Sequence, residues 1–187
     1  DVQYPAKGSQ WLVDETKQAI QSTQVKEDFS WGLDHGAWSV LKHLYPAADV
    51  PVLQLSLDVN GDADYHYRLA NELKSLRNKG VLILGSGNMV HNFQYMQMPS
   101  GGFNQHFGHD WALEANDSFK KLLSSNDVKS LINYKSFSRA LSLSAPTPEH
   151  YLPMIYALGL RNSSDEIAYF NDAVVGGSFS MTSFILS

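Results

Sequence analysis

Histidine is the residue type on which chemistry in this 187-residue chain depends, because the sequence has seven histidines and no cysteine. The lack of cysteine excludes disulfide frameworks, zinc ribbons, iron–sulfur clusters and thiol nucleophiles. Any metal site must therefore combine histidine with carboxylate oxygens. Three histidines follow or adjoin short segments with glycine or proline that favour loops, where functional residues are common, and we single these out: His35, His91 and His150.

His91 follows Gly85-Ser86-Gly87-Asn88, a segment that we place in a tight loop just after a buried strand. The glycines permit the close approach of a backbone to a ligand. The structural alternative is a histidine that packs inside the loop with its ring bonded to backbone. The spacing alone leaves both interpretations open.

His150 follows Pro146-Thr147-Pro148-Glu149, which predicts a helix with Thr147 as N-cap and Pro148 as first helical residue. Glu149 has a structural reason to be there, because an anion near a helix N-terminus gains about 0.3–1 kcal/mol. This effect does not explain His150, because a protonated histidine is disfavoured at a helix N-terminus. His150 is therefore a candidate metal ligand or hydrogen-bond donor.

His35 lies in Asp34-His35-Gly36 between Trp31 and Trp38, which predicts a constrained and partly buried position. The structural interpretation of Asp34 is that it caps the helix that follows.

The other four histidines are weaker candidates. We expect His43 and His66 to lie on the surface of their helices. His106 and His109 have an i,i+3 spacing at a predicted helix start, which suits a metal, but no third ligand stands nearby.

The rest of the composition mainly excludes classes of partner and of catalytic site. Nineteen acidic and fourteen basic residues give a net charge of −5 without a basic cluster, so we expect no nucleic-acid partner. The longest apolar run, Val81–Leu84, is too short to cross a bilayer. No signal-peptide pattern opens the chain, which predicts a cytoplasmic protein without a membrane partner. No nucleophile elbow, phosphate loop, dinucleotide fingerprint or carboxylate pair is present, and a mononuclear histidine-based metal site remains the leading hypothesis.

The elements that must position these residues are those of an α/β protein. A predicted strand over 51–57, a helix over 62–78 and a strand over 81–84 indicate a right-handed βαβ unit and a parallel sheet. Ligands bind at the carboxyl ends of such strands. Further helices are predicted over 9–22, 36–44, 107–123, 127–134 and 146–158, and a last strand over 178–186. Ser9 and Asp62 are the predicted N-caps of the helices over 9–22 and 62–78.

Six segments, in the same order along the chain, resemble the class III extradiol ring-cleavage dioxygenases of the 4,5-DOPA extradiol dioxygenase type. They cover almost the whole chain: Tyr4–Ser9, Gly32–Trp38, Tyr45–Asp58, Gly85–Asn92, Thr147–Pro153 and Gly177–Met181. The resemblance implies one catalytic domain over 1–187, with a mainly parallel central sheet flanked by helices on both faces, as in phosphorylase/hydrolase-like folds. It implies non-haem Fe(II), with Zn(II) in some isolated members, and cleavage of a catechol such as DOPA next to its diol with both atoms of O2 incorporated.

The resemblance also implies roles for single residues. His150 matches a metal ligand, and His91 is either a second ligand or the acid–base histidine beside the metal. His35 matches an active-site histidine that orients substrate or transfers protons. Three neighbours complete the implied site: Glu149 as a further ligand or as a partner that orients His150, Asp34 as a supporting residue, and Tyr151 as a wall of the catechol pocket.

The sequence departs from the family at its start. Family members begin with a strand ending in His-Gly-Ser-Pro and a second strand ending in Ser-Ala-His-Trp, each with a metal-binding histidine, and neither motif occurs here. The chain opens at Asp1 without a methionine, and we expect a segment upstream. We therefore expect weak or absent metal binding by these 187 residues alone.

Two alternative functions remain open, which are a non-catalytic binding homologue and a zinc hydrolase. The sequence also leaves open whether the protein is a monomer or a homodimer.

Overall fold

Nine α-helices and two small antiparallel sheets form residues 3–187, the part of the chain that the computed structural model describes. Asp1 and Val2, where we noted the missing methionine, lie outside the described residues. The helices are α1 Gln10–Ala19, α2 His35–Leu44, α3 Ala63–Glu72, α4 Lys74–Arg77, α5 Asp110–Ser124, α6 Val128–Ile132, α7 Tyr134–Phe137, α8 Arg139–Ser144 and α9 Leu152–Leu160. Two 3-10 helices cover Phe93–Tyr95 and Gly102–Asn104.

Side-chain caps begin the first three helices where the sequence predicts them. Ser9 accepts from the backbone N–H of Leu12 at 3.2 Å, and Asp34 and Asp62 accept at 2.8 Å from the residues three positions on. These bonds satisfy amides that the helix itself leaves free. The helix predicted over 62–78 divides at Leu73 into α3 and α4, and Gly80 follows with a φ of 75°.

The predicted parallel sheet is not confirmed by the structure. Residues 51–57 and 81–84 form no strand, and within residues 3–187 the strands pair only as antiparallel β1 Ile167–Phe170 with β4 Ser183–Leu186, and β2 Val174–Val175 with β3 Phe179–Ser180. The strand predicted over 178–186 is thus divided between the two sheets.

Residues 51–57 and 81–84 form no strand because, within residues 3–187, neither segment has a neighbouring strand with which to form backbone hydrogen bonds. Among the described residues, 51–57 make one backbone bond, from Val52 N to Lys7 O at 2.9 Å. The alternation in 51–57 still has its effect, since Leu55 and Leu57 pack on the core. Residues 81–84 are not buried as predicted, because Val81 and Ile83 pack on the core but Leu82 is 61% exposed.

The predicted start of the last helix is also wrong, because Pro148 was expected as the first helical residue and α9 begins at Leu152. The Thr147 hydroxyl donates to Glu149 Oε1 at 2.6 Å instead of capping the backbone. Pro148 O accepts from the amides of Tyr151 and Leu152, both at 2.9 Å. Glu149 and His150 therefore lie in a single turn that precedes the helix.

Helix α3 packs directly across α9, and glycine permits this contact. A Cβ on Gly159 would lie 2.6 Å from the Ala70 Cβ and 2.7 Å from Tyr67 O, closer than real Cβ atoms come. The main core lies on the other side of α9. Its fully buried large side chains come from α5, α6, α8, α9 and nearby turns: Phe119, Leu131, Leu141, Tyr151 and Ile155.

His66 is buried, not exposed as we expected. Its side chain is completely covered, with Nδ1 3.1 Å from Tyr156 Oη and Nε2 3.1 Å from Asp58 O. His66 lies three and seven residues before Leu69 and Leu73, so it shares their buried face of α3. His43, in contrast, is exposed as predicted.

Within residues 3–187, no helix combines the length and the hydrophobicity needed to cross a bilayer.

Candidate functional site

The structure brings His91 and His150 together. Their rings are stacked, with centroids 3.7 Å apart and planes inclined by 22°. His91 is fixed from the backbone, because its N–H donates to Ser144 O at 2.7 Å. His150 is fixed in the same way, since its carbonyl oxygen accepts from Asn88 N at 2.8 Å. Two residues that are 59 positions apart in sequence thus form one pair.

Glycines in the loop before His91 make this pairing possible. A Cβ on Gly87 would lie 2.3 Å from His150 O, and a Cβ on Gly85 would lie 2.6 Å from Pro153 O. We predicted that the glycines permit the close approach of a backbone to a ligand. In the structure they permit the close approach of another part of the chain, which is the backbone at His150 and Pro153.

Buried polar side chains hold the loop after His91 in place. Asn92 donates through Nδ2 to Leu143 O at 2.7 Å, and Ser178 donates to Asn92 O at 2.8 Å. Asn88 donates to Ser180 O at 2.7 Å. Because each buried donor has a partner, the backbone around the two histidines is firmly positioned.

Two phenylalanine rings contact His91. Phe93 and Phe179 meet the His91 ring edge to face, with centroid distances of 4.8 and 5.0 Å. The sequence analysis gave these residues no role, although Phe93 stands two positions after His91 and Phe179 lies in one of the six segments. A phenylalanine near a candidate histidine is the signal that could have identified them.

Burial is the largest influence on His91 and lowers its pKa, and the neighbouring His150 lowers it further. A bond to its own backbone and the carboxylate of Glu149 oppose this shift without cancelling it. The imidazole of His91 is therefore uncharged at neutral pH and available as a ligand or a proton acceptor.

Glu149 provides the negative charge at the site. Burial opposes its ionisation, but the hydrogen bond from Thr147 and the nearby histidines outweigh that effect and lower its pKa. Its Oε1 lies 3.9 Å from His150 Nε2, too far for a hydrogen bond. Glu149 is therefore an ionised neighbour of the histidine pair.

His35 lies apart from the pair. It is the first residue of α2 and is exposed, not partly buried as predicted. The carboxylate of Asp34 caps this helix, as expected, and also accepts from Gln54 Nε2 at 3.0 Å. A Cβ on Gly36 would lie 3.6 Å from Ser86 Oγ, so this helix start packs against the glycine loop. Among the described residues, His35 makes no ring contact or side-chain hydrogen bond.

Tyr151 lies in the core and does not line a pocket, contrary to the expectation. It is completely buried, its hydroxyl donates to Leu131 O at 2.7 Å, and its ring centroid is 4.1 Å from that of Tyr134. Burial raises the pKa of Tyr151 well above its ordinary value. Tyr151 therefore anchors the turn that carries His150.

His91 and His150 fit a metal by donor type, since imidazole suits both iron and zinc. Their near-parallel planes mean that a shared ion requires one ring to turn. Within residues 3–187, no group of three or more histidine, aspartate or glutamate side chains is arranged for a metal. His109 in particular is engaged, with Nε2 2.9 Å from Tyr95 O.

Comparison with known proteins gives consistent matches. A family model described as the catalytic LigB subunit of aromatic ring-opening dioxygenase matches residues 1–175. The chain is 35% identical over 187 residues to a 4,5-DOPA dioxygenase extradiol of Escherichia coli (strain K12), covering 98% of this chain and 67% of that protein. It is 30% identical over 184 residues to a 4,5-DOPA dioxygenase extradiol of Beta vulgaris, covering 97% and 67%.

A solved structure agrees with these sequence matches. The crystal structure of an uncharacterized protein from Escherichia coli K12 superposes with a TM-score of 0.84 at 33% identity, covering 98% of this chain and 75% of that chain. The chain spans about two thirds of the length of the two relatives. It belongs to the LigB family of aromatic ring-opening dioxygenases, the class III extradiol dioxygenases that its six segments resemble.

Proposed function

We propose that this chain forms part of the active site of a metal-dependent extradiol dioxygenase that opens the ring of a catechol with O2. The observation that carries the proposal is the stacked pair of His91 and His150, whose ring centroids lie 3.7 Å apart. Two relatives are named 4,5-DOPA dioxygenase extradiol, which supports a catechol as the substrate class and DOPA as the first diol to test.

His150 and His91 are the residues that would hold the metal, Fe(II) or Zn(II). Bound Fe(II) supplies a centre that takes up both catechol oxygens and O2 and allows electrons to pass between them. The chain's own part is to keep two imidazoles side by side. The backbone bonds Asn88 N to His150 O and His91 N to Ser144 O hold them there.

His91 has a second possible role as the acid–base residue, and the proposal retains both. Because its pKa is lowered, Nδ1 or Nε2 of His91 can accept a proton from a catechol hydroxyl at neutral pH. Glu149 would then stabilise the imidazolium that forms, since its carboxylate is ionised beside the pair.

His35 is proposed to orient the substrate or to transfer protons from the far side of the glycine loop. Its exposed ring stands at the start of α2, which packs against Ser86 in that loop. Asp34 positions this start through its helix cap and its bonds to Gln54.

The test uses the intact protein, loaded with Fe(II) without air and mixed with DOPA or 4-methylcatechol before O2 is admitted. We expect O2 uptake and a yellow ring-opened semialdehyde. His91→Ala and His150→Ala should each lower turnover by at least a hundredfold, the range typical of lost acid–base groups. His43→Ala is the matched control, because His43 is an exposed histidine away from the pair. No O2 uptake with any catechol would overturn the proposal.

A zinc hydrolase is the second candidate, and Glu149 is the observation that favours it. An ionised carboxylate whose Oε1 lies 3.9 Å from His150 Nε2 could activate a water molecule as general base. Hydrolysis of activated esters by the Zn(II)-loaded protein, lost in Glu149→Gln and without O2 uptake, would support this function over ring cleavage. Binding of a catechol without turnover of any kind would indicate a binding homologue.

A further inference from the structure

A group of polar side chains lies against the apolar face of α5 and joins this helix to β3. We call it the Asn116 cluster, and four residues form it: Asn116, Asp172, Ser180 and Thr182. All but Asp172 are buried. The other buried residues of α5 are apolar: Ala112, Ala115, Phe119, Leu122 and Leu123. Because an apolar side chain would fill the position of Asn116 without desolvating an amide, stability alone does not explain an asparagine there.

Asp172 sets the orientation of the Asn116 amide. The hydrogen bond from Lys120 Nζ, at 2.6 Å, lowers the pKa of Asp172, so the carboxylate is ionised and can only accept hydrogen bonds. Asn116 therefore faces Asp172 with its NH2 group, and Nδ2 donates to Asp172 Oδ1 at 3.1 Å. Its carbonyl oxygen Oδ1 is left to accept hydrogen bonds from the residues at β3.

The Asn116 oxygen holds the end of β3 through two hydroxyl groups. Ser180 Oγ donates to Asn116 Oδ1 at 2.6 Å, and Thr182 Oγ1 lies 2.8 Å from the same oxygen. The backbone N–H of Thr182 donates in turn to Ser180 Oγ at 3.2 Å. The buried Ser180 hydroxyl is thus both donor and acceptor, and these bonds fix β3 relative to α5.

The backbone of β3 holds the segment that carries His91. Ser180 O accepts from Asn88 Nδ2 at 2.7 Å, and Ser180 N donates to Val90 O at 2.9 Å. Phe179, the residue before Ser180, forms an antiparallel bridge with His91, and its ring contacts the imidazole. Ser180 therefore joins α5 through its side chain to the loop before His91 through its backbone.

We infer that Asn116 is a positioning residue for the histidine pair and acts through Ser180 and Asn88. The inference rests on the proposed function, in which His91 and His150 form the reactive site. Asn88 bonds Ser180 O through its side chain and His150 O through its backbone N–H, so a shift of β3 changes the contact between the two histidines. The part of Asn116 is to hold β3 where the two imidazoles stack, and not to touch the substrate.

The experiment measures the contact between the two rings by NMR, in the intact protein with isotope-labelled histidine and before metal is added. The His91 and His150 rings are stacked with centroids 3.7 Å apart, so their protons should show a nuclear Overhauser signal. Asn116→Leu keeps the side-chain volume and removes the amide, and we expect it to lose this signal. Its affinity for Fe(II) should fall about tenfold to hundredfold, the range typical when a group that orients metal ligands is lost.

Leu122→Ala is the matched control, because Leu122 is a buried residue of the same helix and lies outside the Asn116 cluster. It should destabilise the protein, yet keep the ring signal and the affinity for Fe(II). A loss of the ring signal in Leu122→Ala as large as in Asn116→Leu would show an effect of stability alone and would overturn the inference. An unchanged ring signal in Asn116→Leu would also overturn it.

A double variant keeps the test valid if Asn116→Leu is poorly folded. Adding Ser180→Ala removes the hydroxyl that Asn116→Leu leaves without its acceptor, and Thr182 can still donate to Asp172 Oδ1, 2.9 Å away. Since removing both partners of a buried hydrogen bond costs little, we expect the double variant to recover stability. The ring signal should remain lost, because α5 no longer holds β3. Recovery of both stability and the ring signal would overturn the inference.

The proposed function can fail separately, because the ring contact is measured without metal, substrate or O2. Loss of the ring signal in Asn116→Leu, in a protein that takes up no O2 with any catechol, would keep Asn116 as a positioning residue and reject ring cleavage. Full O2 uptake by Asn116→Leu with an intact ring signal would reject the positioning role and keep ring cleavage. Absence of the ring signal from the unsubstituted protein would overturn the inference whatever the activity.

Discussion

The backbone N–H of Asn88 donates to the carbonyl oxygen of His150 at 2.8 Å, and this one bond joins the loop before His91 to the turn that carries His150. The bond requires glycine at position 87, because a Cβ there would lie 2.3 Å from the same carbonyl oxygen. The stacked histidine pair therefore depends on a contact between two backbones.

Gly87→Ala should separate the pair. The new Cβ would lie 2.3 Å from His150 O, a backbone atom that cannot move aside without moving the turn. We expect a loss of stability of about 1–3 kcal/mol, the usual range for overpacking, and a large loss of turnover. Chemical denaturation and O2 uptake measure the two effects. Gly8→Ala is the control, since a Cβ there meets nothing within 4 Å; equal behaviour of the two variants would contradict the prediction.

His66→Ala should destabilise the protein, although the sequence analysis placed this residue on the surface. The substitution opens a cavity and leaves Asp58 O and the Tyr156 hydroxyl without their partner. Burial raises the pKa of Tyr156 to about 12, so the hydroxyl keeps its proton and needs an acceptor. We expect a loss of about 2–4 kcal/mol in urea denaturation. The exposed His43→Ala should change stability by less than about 0.5 kcal/mol.

The ion pair between Arg77 and Asp165 should make stability depend on pH at acidic values. Arg77 bonds both carboxylate oxygens, at 2.5 and 3.1 Å, and these bonds lower the pKa of Asp165 from its ordinary 3.8 despite burial. Since the folded-state pKa is the lower one, the stabilisation is complete above pH 3.8 and is lost as the pH falls through the lowered value.

Asp165→Asn should therefore cost about 1.5–3 kcal/mol at pH 7, and the difference from the unsubstituted protein should shrink below pH 4. Unfolding curves at a series of pH values test this. Asp64→Asn removes the partner of Arg68 in a solvent-exposed i,i+4 pair, and it should cost at most about 0.5 kcal/mol. A difference for Asp165→Asn that does not vary with pH would contradict the assignment.

Metal binding by residues 1–187 on their own should be weak. The described part of the chain offers two imidazoles at the site and no arranged group of three ligands. We expect well below one equivalent of iron or zinc to remain after dialysis, and still less in His91→Ala and His150→Ala. Elemental analysis provides the measurement. One tightly held equivalent would show that the histidine pair is a better site than its geometry indicates.

Local signals in the sequence predicted local structure well. The caps at Ser9, Asp34 and Asp62 are confirmed, because each depends on a side chain and a backbone amide three residues away. The predicted start of α9 was wrong by four residues, since the Thr147 hydroxyl bonds to Glu149 and a capping sequence does not reveal such a competitor.

Structure that depends on distant partners was harder to predict. Residues 51–57 have the alternation of a strand, but a strand also needs a neighbour, and alternation carries no information about one. The pairing of His91 with His150 came from the resemblance and not from spacing. The resemblance placed Tyr151 on a pocket wall, yet in the structure its ring packs in the core against Tyr134.

The exposed Leu82 and Leu84 side chains have a consequence for the solubility of the protein. Among the described residues, the backbone groups of 82–84 have no hydrogen-bond partner. An extended segment with such groups and with exposed leucine can pair with the same segment of another chain. The concentration at which this protein begins to associate with itself should therefore be set by this segment and not by its net charge of −5. Light scattering across a dilution series, with Leu82→Lys beside the unsubstituted protein, would show whether solubility depends on this segment.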